Sequence, residues 1–374
     1  MKKYRIDEIT INLDNMRKPL NNVERNKISK RKLYPYYGAN NLMDYVDEYI
    51  FDEEILCVAE DGGSWGYKEK CSYIVNRKCW VNNHAHVLKA KENLNLKFLN
   101  YYLNFNDLSS SITGTTRGKL TKSALNNIEV LLPQLEVQNK IVNILDKAQS
   151  LIKKRKTQIE ALDELVKSRF IEMFGDPVKN PMKLPKTTLS NIGQWKTGGT
   201  PSRSNNEYYN GNIPWLSSGE LNNIYCFNSD EMITELAIKE SSAKIIEKGS
   251  LLLGMYDTAA LKSTINMIEC SCNQAIAYAK LDENLVNTIY VYYCIQIGKD
   301  FYKSQQRGVR QKNLNLSMVK ELEILMPELR LQNQFADFVN QGNTLKFEMK
   351  KSLKELEDNF NSLMQRAFKG ELFN

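Results

Sequence analysis

Between Leu132 and Ile141 the chain reads LPQLEVQNKI, and from Met326 to Phe335 it reads MPELRLQNQF. The two stretches share a proline, a leucine, a Gln-Asn pair and the apolar positions around it, at a constant offset of 194 residues. A long repeat of this kind marks a duplicated structural unit. After Pro133 the next proline is Pro177, and after Pro327 there is none to the end. Proline is tolerated at a helix start and breaks a helix interior. Each repeat therefore predicts a helix of roughly 40 residues, about 60 Å long at 1.5 Å per residue.

In the first of these helices apolar residues fall at Ile141, Leu145, Ala148, Ile152, Ile159, Leu162, Val166 and Met173, in steps of four and three interrupted at Arg155 and Arg169. The same offset carries the series onto Phe335, Val339, Gly342, Lys346, Leu353, Leu356, Phe360 and Ala367, with Met349 and Leu363 opposite the two arginines. Such spacing is that of a coiled-coil seam. Two matched seams can bury each other, and a twofold relation between the copies would make the helices antiparallel. The alternative, each helix packing on its own globular domain, is left open by the pattern. Arg155, Arg169, Gly342 and Lys346 mark layers of the kind that fix register at some cost in stability. The basic run Lys153 to Lys156 reads as a solvated helix face.

The 374 residues, 42% of them apolar, suffice for two or three domains with sizeable cores. No apolar run approaches the ~18 to 20 residues needed to cross a bilayer, and MKKYRIDEIT lacks the apolar core of a secretion signal. A cytoplasmic protein with no membrane partner is expected. The seven cysteines, Cys57, Cys71, Cys79, Cys226, Cys270, Cys272 and Cys294, form no CxxC pair and read as reduced thiols. The only histidines, His84 and His86, alternate along a strand near Cys71 and Cys79, which makes a zinc set conceivable, but the spacing matches none of the usual zinc patterns. No metal or other cofactor is expected. The formal charge of +7 is scattered along the chain and points weakly to a polyanionic partner.

Upstream of each helix, short alternating runs and Gly-rich turns read as a mixed sheet with small helices. These stretches echo one another. EEILCVAEDGG from Glu53 parallels GSLLLGMYDTAA from Gly249, placing Asp61 opposite Asp257, and VNNHAHV parallels SCNQAIA. GTTRGKL (Gly114 to Leu120) sits where GVRQKNL (Gly308 to Leu314) sits. The expected fold is α+β, with two mixed α/β domains (1–133 and 178–327) joined by two long antiparallel coiled-coil helices (134–177 and 328–374) in a pseudo-twofold internal repeat. The heads have diverged far more than the helices, as carriers of different specificities would.

YPYYGANN (Tyr34 to Asn41), ILCVAEDGGSWG (Ile55 to Gly66) and GTTRGKLTKSALNNIEVLLP resemble the first target-recognition domain, and the start of its conserved helix, in the specificity subunit of type I restriction-modification systems. GGTPSRSNNEYYNGNIPWLSSGEL (Gly198 to Leu221), RGVRQKNLNLSMVKELEILMP and the terminal AFKGELF resemble that family's second domain and helix. The resemblance implies a non-catalytic DNA reader in which each domain reads one half of a split target. It implies antiparallel helices acting as a ruler and two methyltransferase (modification) subunits bound around them to methylate adenine, with restriction subunits as optional members. RKPL (Arg17 to Leu20) stands where the second domain has GTPS, so the halves of the target should differ.

Reading a duplex calls for cations and hydroxyls on phosphates and for planar or amide groups on base edges. The first head offers Arg17, Lys18, Arg31 and Lys32, the aromatic turn at Tyr36 and Tyr37, then Trp65, Arg117 and Lys119. The second offers Thr200, Ser202 and Arg203, then Trp215, Ser217 and Ser218, then Lys262, Arg307, Arg310 and Lys312. Each of these taken alone also reads as a solvated surface residue, or as a core aromatic for the tryptophans. Arg117 and Arg310 stand out because each occupies a Gly-flanked basic loop before the strand that feeds a long helix.

Signals for catalysis are weak. RGKLT lacks the first glycine of a phosphate loop, and NPMK at Asn180 has one proline where amino-methyltransferases carry two. Two other readings remain beside the DNA-specificity subunit, a stand-alone DNA-binding regulator or nuclease and a coiled-coil adaptor. Binding to DNA without partners would mark the first of these, and indifference to DNA the second.

Overall fold

A computed structural model describes residues 2–114, 118–256, 260–304 and 313–373. The chain divides into two compact units, Met1–Lys156 with Lys351–Asn374, and Thr157–Lys350. Two long helices, Leu135–Phe174 and Leu329–Lys369, each contribute one part to either unit.

The two units share one plan. In the first, Lys2–Arg5 pairs antiparallel with Glu129–Leu132, the strand that feeds the first long helix. A four-stranded sheet follows in the spatial order Thr10–Asn12, Ala85–Ala90, Glu54–Ala59, Ser72–Asn76, with a smaller sheet of Asn41–Val46, Tyr34–Gly38 and Trp80–Val81. In the second, Lys186–Thr188 pairs with Glu323–Leu325. Its larger sheet runs Lys196–Thr197, Ile276–Ala279, Leu251–Gly254, Ser263–Asn266, Tyr225–Cys226, and its smaller one Met232–Ile233, Tyr209–Leu216, Ser271–Cys272. Strand for strand the pairings correspond, apart from the extra edge strand in the second.

The central strands bury consecutive residues because both faces of each larger sheet are covered. Leu56 and Val58 enter a core beneath the helix Leu96–Phe105, whereas Ile55 and Cys57 enter a separate core on the other side. Leu251 and Leu253 are likewise divided from Leu252. This is the period of two expected of a strand.

The Gln-Asn pair of the opening repeat is a clamp. Gln138 is fully buried; its Oε1 accepts from the Asn95 amide at 2.9 Å, and its Nε2 donates to the carbonyls of Asn93 and Pro133, both at 2.9 Å. Asn139 Oδ1 accepts from Asn95 Nδ2 at 2.8 Å, while Asn95 Oδ1 caps the helix that starts at Leu96. In the other copy Gln332 takes the Asn287 amide at 2.9 Å and gives to the Pro327 carbonyl at 2.8 Å, and Asn333 Oδ1 takes Asn287 Nδ2 at 2.9 Å. Each long helix is thus fastened by its first two turns to the N-terminus of its own head's helix, where backbone donors would otherwise be orphaned.

The seam is present in both units. In the first unit Ile141, Val142 and Leu145 share a core with Met364, Ala367 and Phe368, and Lys156 reaches Glu357 at 2.7 Å. In the second, Val166 and Phe170 share a core with Phe335 and Val339, and Lys346 pairs with Asp163 at 2.6 Å. Within either unit, ascending one helix means descending the other, so the pair is antiparallel. Lys346 is compensated by a carboxylate beside seam residue Leu162, and Gly342 faces Val166. Packing on the heads coexists with pairing. Phe170 stacks on Tyr290 and Phe174 meets it edge-on, with centroids 5.6 and 4.9 Å away, and Phe98 meets Phe368 at 5.5 Å. Among the described residues no helix is long and apolar enough to cross a membrane.

Candidate nucleic-acid interface

In the first head the expected cations do not all face outward. The Arg17 side chain is only 12% exposed. It gives Nη1 to Glu60 at 2.7 Å and to the Ala85 carbonyl at 2.8 Å, and its Nε lies 3.4 Å from Asp14. Lys119 reaches the same Glu60 at 3.0 Å. His86, 1% exposed, spans Asp14 Oδ2 at 2.7 Å and the Leu120 carbonyl at 2.8 Å. Burial pushes the Asp14 carboxyl up, but hydrogen bonds from His86, the Val87 amide and Asn12 outweigh it and hold it below its ordinary value. Glu60 is likewise pushed up by burial and brought down by Arg17 and Lys119.

This network pins a neck that Thr113 and Lys119 close. Thr113 and Lys119 exchange backbone hydrogen bonds of 2.9 and 2.7 Å, and the Leu120 amide donates to the Glu60 carbonyl at 2.8 Å. Trp65, 7% exposed, lies under that neck, where a Cβ on Gly118 would come within 3.2 Å of its ring. Tyr36 and Tyr37 are 1% and 8% exposed, each packed in a core. Arg17, Tyr36, Tyr37 and Trp65, expected on a duplex, are thus the least exposed of the first head's described candidates. Carboxylates hold Arg17, and apolar cores hold the three aromatics. Lys18, Arg31 and Lys32 are exposed; the Arg31 amide is fixed by Asp47 at 2.8 Å, and Lys32 sits at φ +53.

In the second head the structure gathers Thr200, Arg203 and Trp215 into one assembly, while the Ser202 hydroxyl pairs with that of Ser204 at 2.7 Å. Gly198 and Gly199 donate to the carbonyls of Ile276 and Cys272 at 3.0 and 2.9 Å, so closely that any Cβ would strike backbone at under 2.5 Å. Thr200 is held by Gln274. Trp215, 3% exposed and thus a core aromatic, donates Nε1 to the Gly199 carbonyl at 3.0 Å, and Tyr209 donates its hydroxyl to the Pro201 carbonyl at 2.7 Å. At the end of this fastened loop Arg203 meets Glu231 through two hydrogen bonds of 2.6 and 3.0 Å and lies over the rings of Tyr209 and Trp215 at 4.7 and 5.1 Å. Hydrogen bonding from Arg203 holds the Glu231 carboxyl below its ordinary value. Ser217 and Ser218 are half-buried, the Ser217 amide donating to Glu220 at 2.6 Å.

Lys262 donates to Asn222 at 2.9 Å and follows Leu261, a buried residue at φ +59. A bulky side chain in that region stores strain, as positions near functional loops often do. Burial lowers the Lys299 ammonium, and the charges of Lys303 and Lys262 lower it further. Lys299 thus lies within the field of two other ammonium groups. Lys299 and Lys303 do not stand out in the sequence, where nothing marks their approach to Lys262. Glu60 and Glu231 are equally inconspicuous there, standing 43 and 28 residues from the arginines they hold.

Arg117, Arg307, Arg310 and Lys312 lie outside the described residues, as does Asp257. The zinc set does not assemble. His84 pairs with Asp61 at 2.7 Å, His86 is taken up by Asp14 and the Leu120 carbonyl, and no group of three or more His, Cys, Asp or Glu among the described residues could hold a metal. All seven cysteines are unpaired.

Comparison with known proteins agrees with the duplicated plan. The family model of the type I restriction modification DNA specificity domain matches residues 1–161 and again residues 183–358. A Haemophilus influenzae protein described as a putative type I restriction enzyme specificity subunit is 29% identical over 347 residues, 91% of this chain and 87% of that protein. The Escherichia coli EcoR124I/EcoR124II specificity subunit is 24% identical over 67% of this chain and 64% of its own length. In fold, the chain resembles the S subunit of the type I system of M. genitalium with a TM-score of 0.58 at 15% identity, over 98% of this chain and 96% of that one. A chain from a study of type I complex assembly and conformational transition gives 0.63 at 14% identity, over 99% and 98%.

Proposed function

We propose that this chain, which belongs to the family of type I restriction modification DNA specificity domains, is the non-catalytic specificity subunit of a type I restriction-modification complex. Its two heads, divided from the helices at about the boundaries 1–133, 134–177, 178–327 and 328–374, read the two unlike halves of a split target in double-stranded DNA. The two long helices set the reach between the heads and offer the surface on which two modification subunits dock, with restriction subunits as optional members of that assembly.

The observation that carries this reading is the repeated clamp. Both heads are fastened to a long helix by the same residues in the same geometry, while the cations on their loops are set in different ways. A duplicated frame with unlike loops suits two readings made by one molecule. Phosphates would be met by Lys18, Arg31, Lys32 and the Lys262–Lys299–Lys303 group, and by the basic loops around Arg117 and Arg310.

The test is to express the chain with methyltransferase subunits from its own host, and to sequence host DNA by a methylation-sensitive long-read method with and without this gene. A complex of two modification subunits per chain, and adenine methylation in a two-part motif that vanishes with the gene, is the expected result. Methylation independent of the gene, or target-specific binding by the isolated chain with no association, would instead favour the stand-alone regulator.

A further inference from the structure

The geometry points to Glu231 as a positioning and specificity-determining residue that, with Arg203, reads one G·C base pair in the second head's half-site. This rests on the DNA-reading function proposed above. Both members of the pair are held by fixed backbone. Arg203 ends the loop that Trp215, Tyr209 and Gln274 fasten. The Glu231 carbonyl accepts from the Trp215 amide at 2.9 Å, directly before the strand Met232–Ile233. Two hydrogen bonds and two aromatic faces leave the guanidinium little freedom. A planar fork of five N–H donors gives two to Glu231, so three remain, including Nε–H and its neighbour on Nη2 along one edge.

Charge then separates the two kinds of contact. The small cavity of about 350 Å³ at this place is lined by Arg203, Tyr209, Met232 and two carboxylates, Asp230 and Glu231. A phosphate would find the single cation already neutralised and meet two carboxylates. A base edge would not, since G presents the acceptors N7 and O6 to an arginine fork, and its partner C presents the N4 amine to a carboxylate. Side by side, Arg203 and Glu231 match both halves of that one pair.

The first head holds the same unit in closed form. Arg25 lies over Tyr36 at 5.6 Å with its Nε 3.1 Å from Asp44, the residue directly across the strand pair from Tyr36. Continuing the register that pairs Pro214 with Met232 sets Glu231 across from Trp215 in the same way. Arg25 and Asp44 are 20% and 30% exposed, against 57% and 44% for Arg203 and Glu231. The arrangement therefore holds the smaller sheet in both heads, and in the second alone its outer edge is open.

The experiment uses the full chain with its modification subunits and host genomic DNA as the probe, comparing wild type with E231Q and R203K by methylome sequencing. Wild type should show a G·C pair in one half of the motif. In both variants that single position should become degenerate, with preference for the pair reduced about 10- to 100-fold, while the other half stays fixed. E231Q keeps the side-chain volume at an exposed site, and thermal unfolding is followed beside it. An unaltered motif in variants that melt like wild type would overturn the proposal. So would R203A weakening a cognate and a random duplex alike with a salt slope lower by about one, the signature of a phosphate contact. Absence of any two-part motif in wild type would instead sink the function on which the inference rests.

Discussion

The clamp at Gln138 makes a quantitative demand. Replacing it with alanine leaves the Asn95 amide and the carbonyls of Asn93 and Pro133 without their partner, around a side chain that itself has no solvent access. A buried hydrogen bond contributes about 1 kcal/mol net, and a buried group left unsatisfied costs about 1 to 3 kcal/mol. Carbonyls with a second lone pair fall at the low end of that range, so the polar loss is about 3 kcal/mol, and truncation adds the cost of a cavity. Gln138→Met separates the two terms because it keeps most of the volume and removes only the hydrogen bonds. For a unit of this size, 1 kcal/mol shifts the midpoint by roughly 2 to 4 °C, so Q138M should melt about 6 to 12 °C lower. Calorimetry of the full chain, with hydrogen exchange at the Asn95 amide, would check it. The exchange should rise in Q138M and stay slow in Q332M, whose loss falls on the other unit. A shift under about 1 °C, with Asn95 still protected, would mean that the repeat's Gln-Asn pair does not fasten the helix, and the frame shared by the two heads would need another source of rigidity.

Acidification should weaken the first unit in particular. Asp14 and Glu60 are held below their ordinary values in the folded chain, so their stabilisation is complete above about pH 4 to 5 and is lost as the pH falls through the depressed values. Denaturant unfolding of D14N should show both lower stability at neutral pH and a shallower fall between pH 5 and 2; a wild-type pH profile would remove Asp14 from that role. Lysine-to-alanine changes at Lys262 or Lys303 should weaken cognate and random duplexes about equally, each lowering the salt slope by about one; an effect confined to the cognate duplex would place a base, not a phosphate, at that seat. Inserting a matched heptad after Lys156 and after Lys350 keeps the seam in phase and adds about 10.5 Å, or about three base pairs at 3.4 Å each. The unspecified gap in the methylated motif should lengthen accordingly, with some affinity lost to twisting the duplex. Methylation at the original gap would rule out a ruler.

The seam was legible because it depends only on spacing. Ala148, Ile152, Ile159 and Leu162 are the covered positions of a helix whose neighbouring residues are mostly exposed. Phe170 and Phe174 escaped that reading, although both are fully buried. They pack about Tyr290, more than a hundred residues away, and helical periodicity cannot register a partner at that distance. The setting of the candidate cations was illegible for a related reason. Arg17 and Arg203 look alike in sequence as loop cations, yet one is buried by Asp14 and Glu60 and the other presented by Glu231, Tyr209 and Trp215. An arginine's availability is set by carboxylates and rings brought to it by the fold.

That division also explains how one frame can serve two specificities. Pro133 and Pro327, Gln138 and Gln332, Asn139 and Asn333, Asn95 and Asn287 repeat in kind and in hydrogen bonding, and none of them sits on a loop that carries candidate contacts. The central strands divide their side chains between two cores in both heads, again without using those loops. Opening the outer edge of an arginine–acid pair, as at Glu231, therefore leaves the clamps untouched. Selection for a new target half can act on such pairs while the clamps keep each head fixed to its helix.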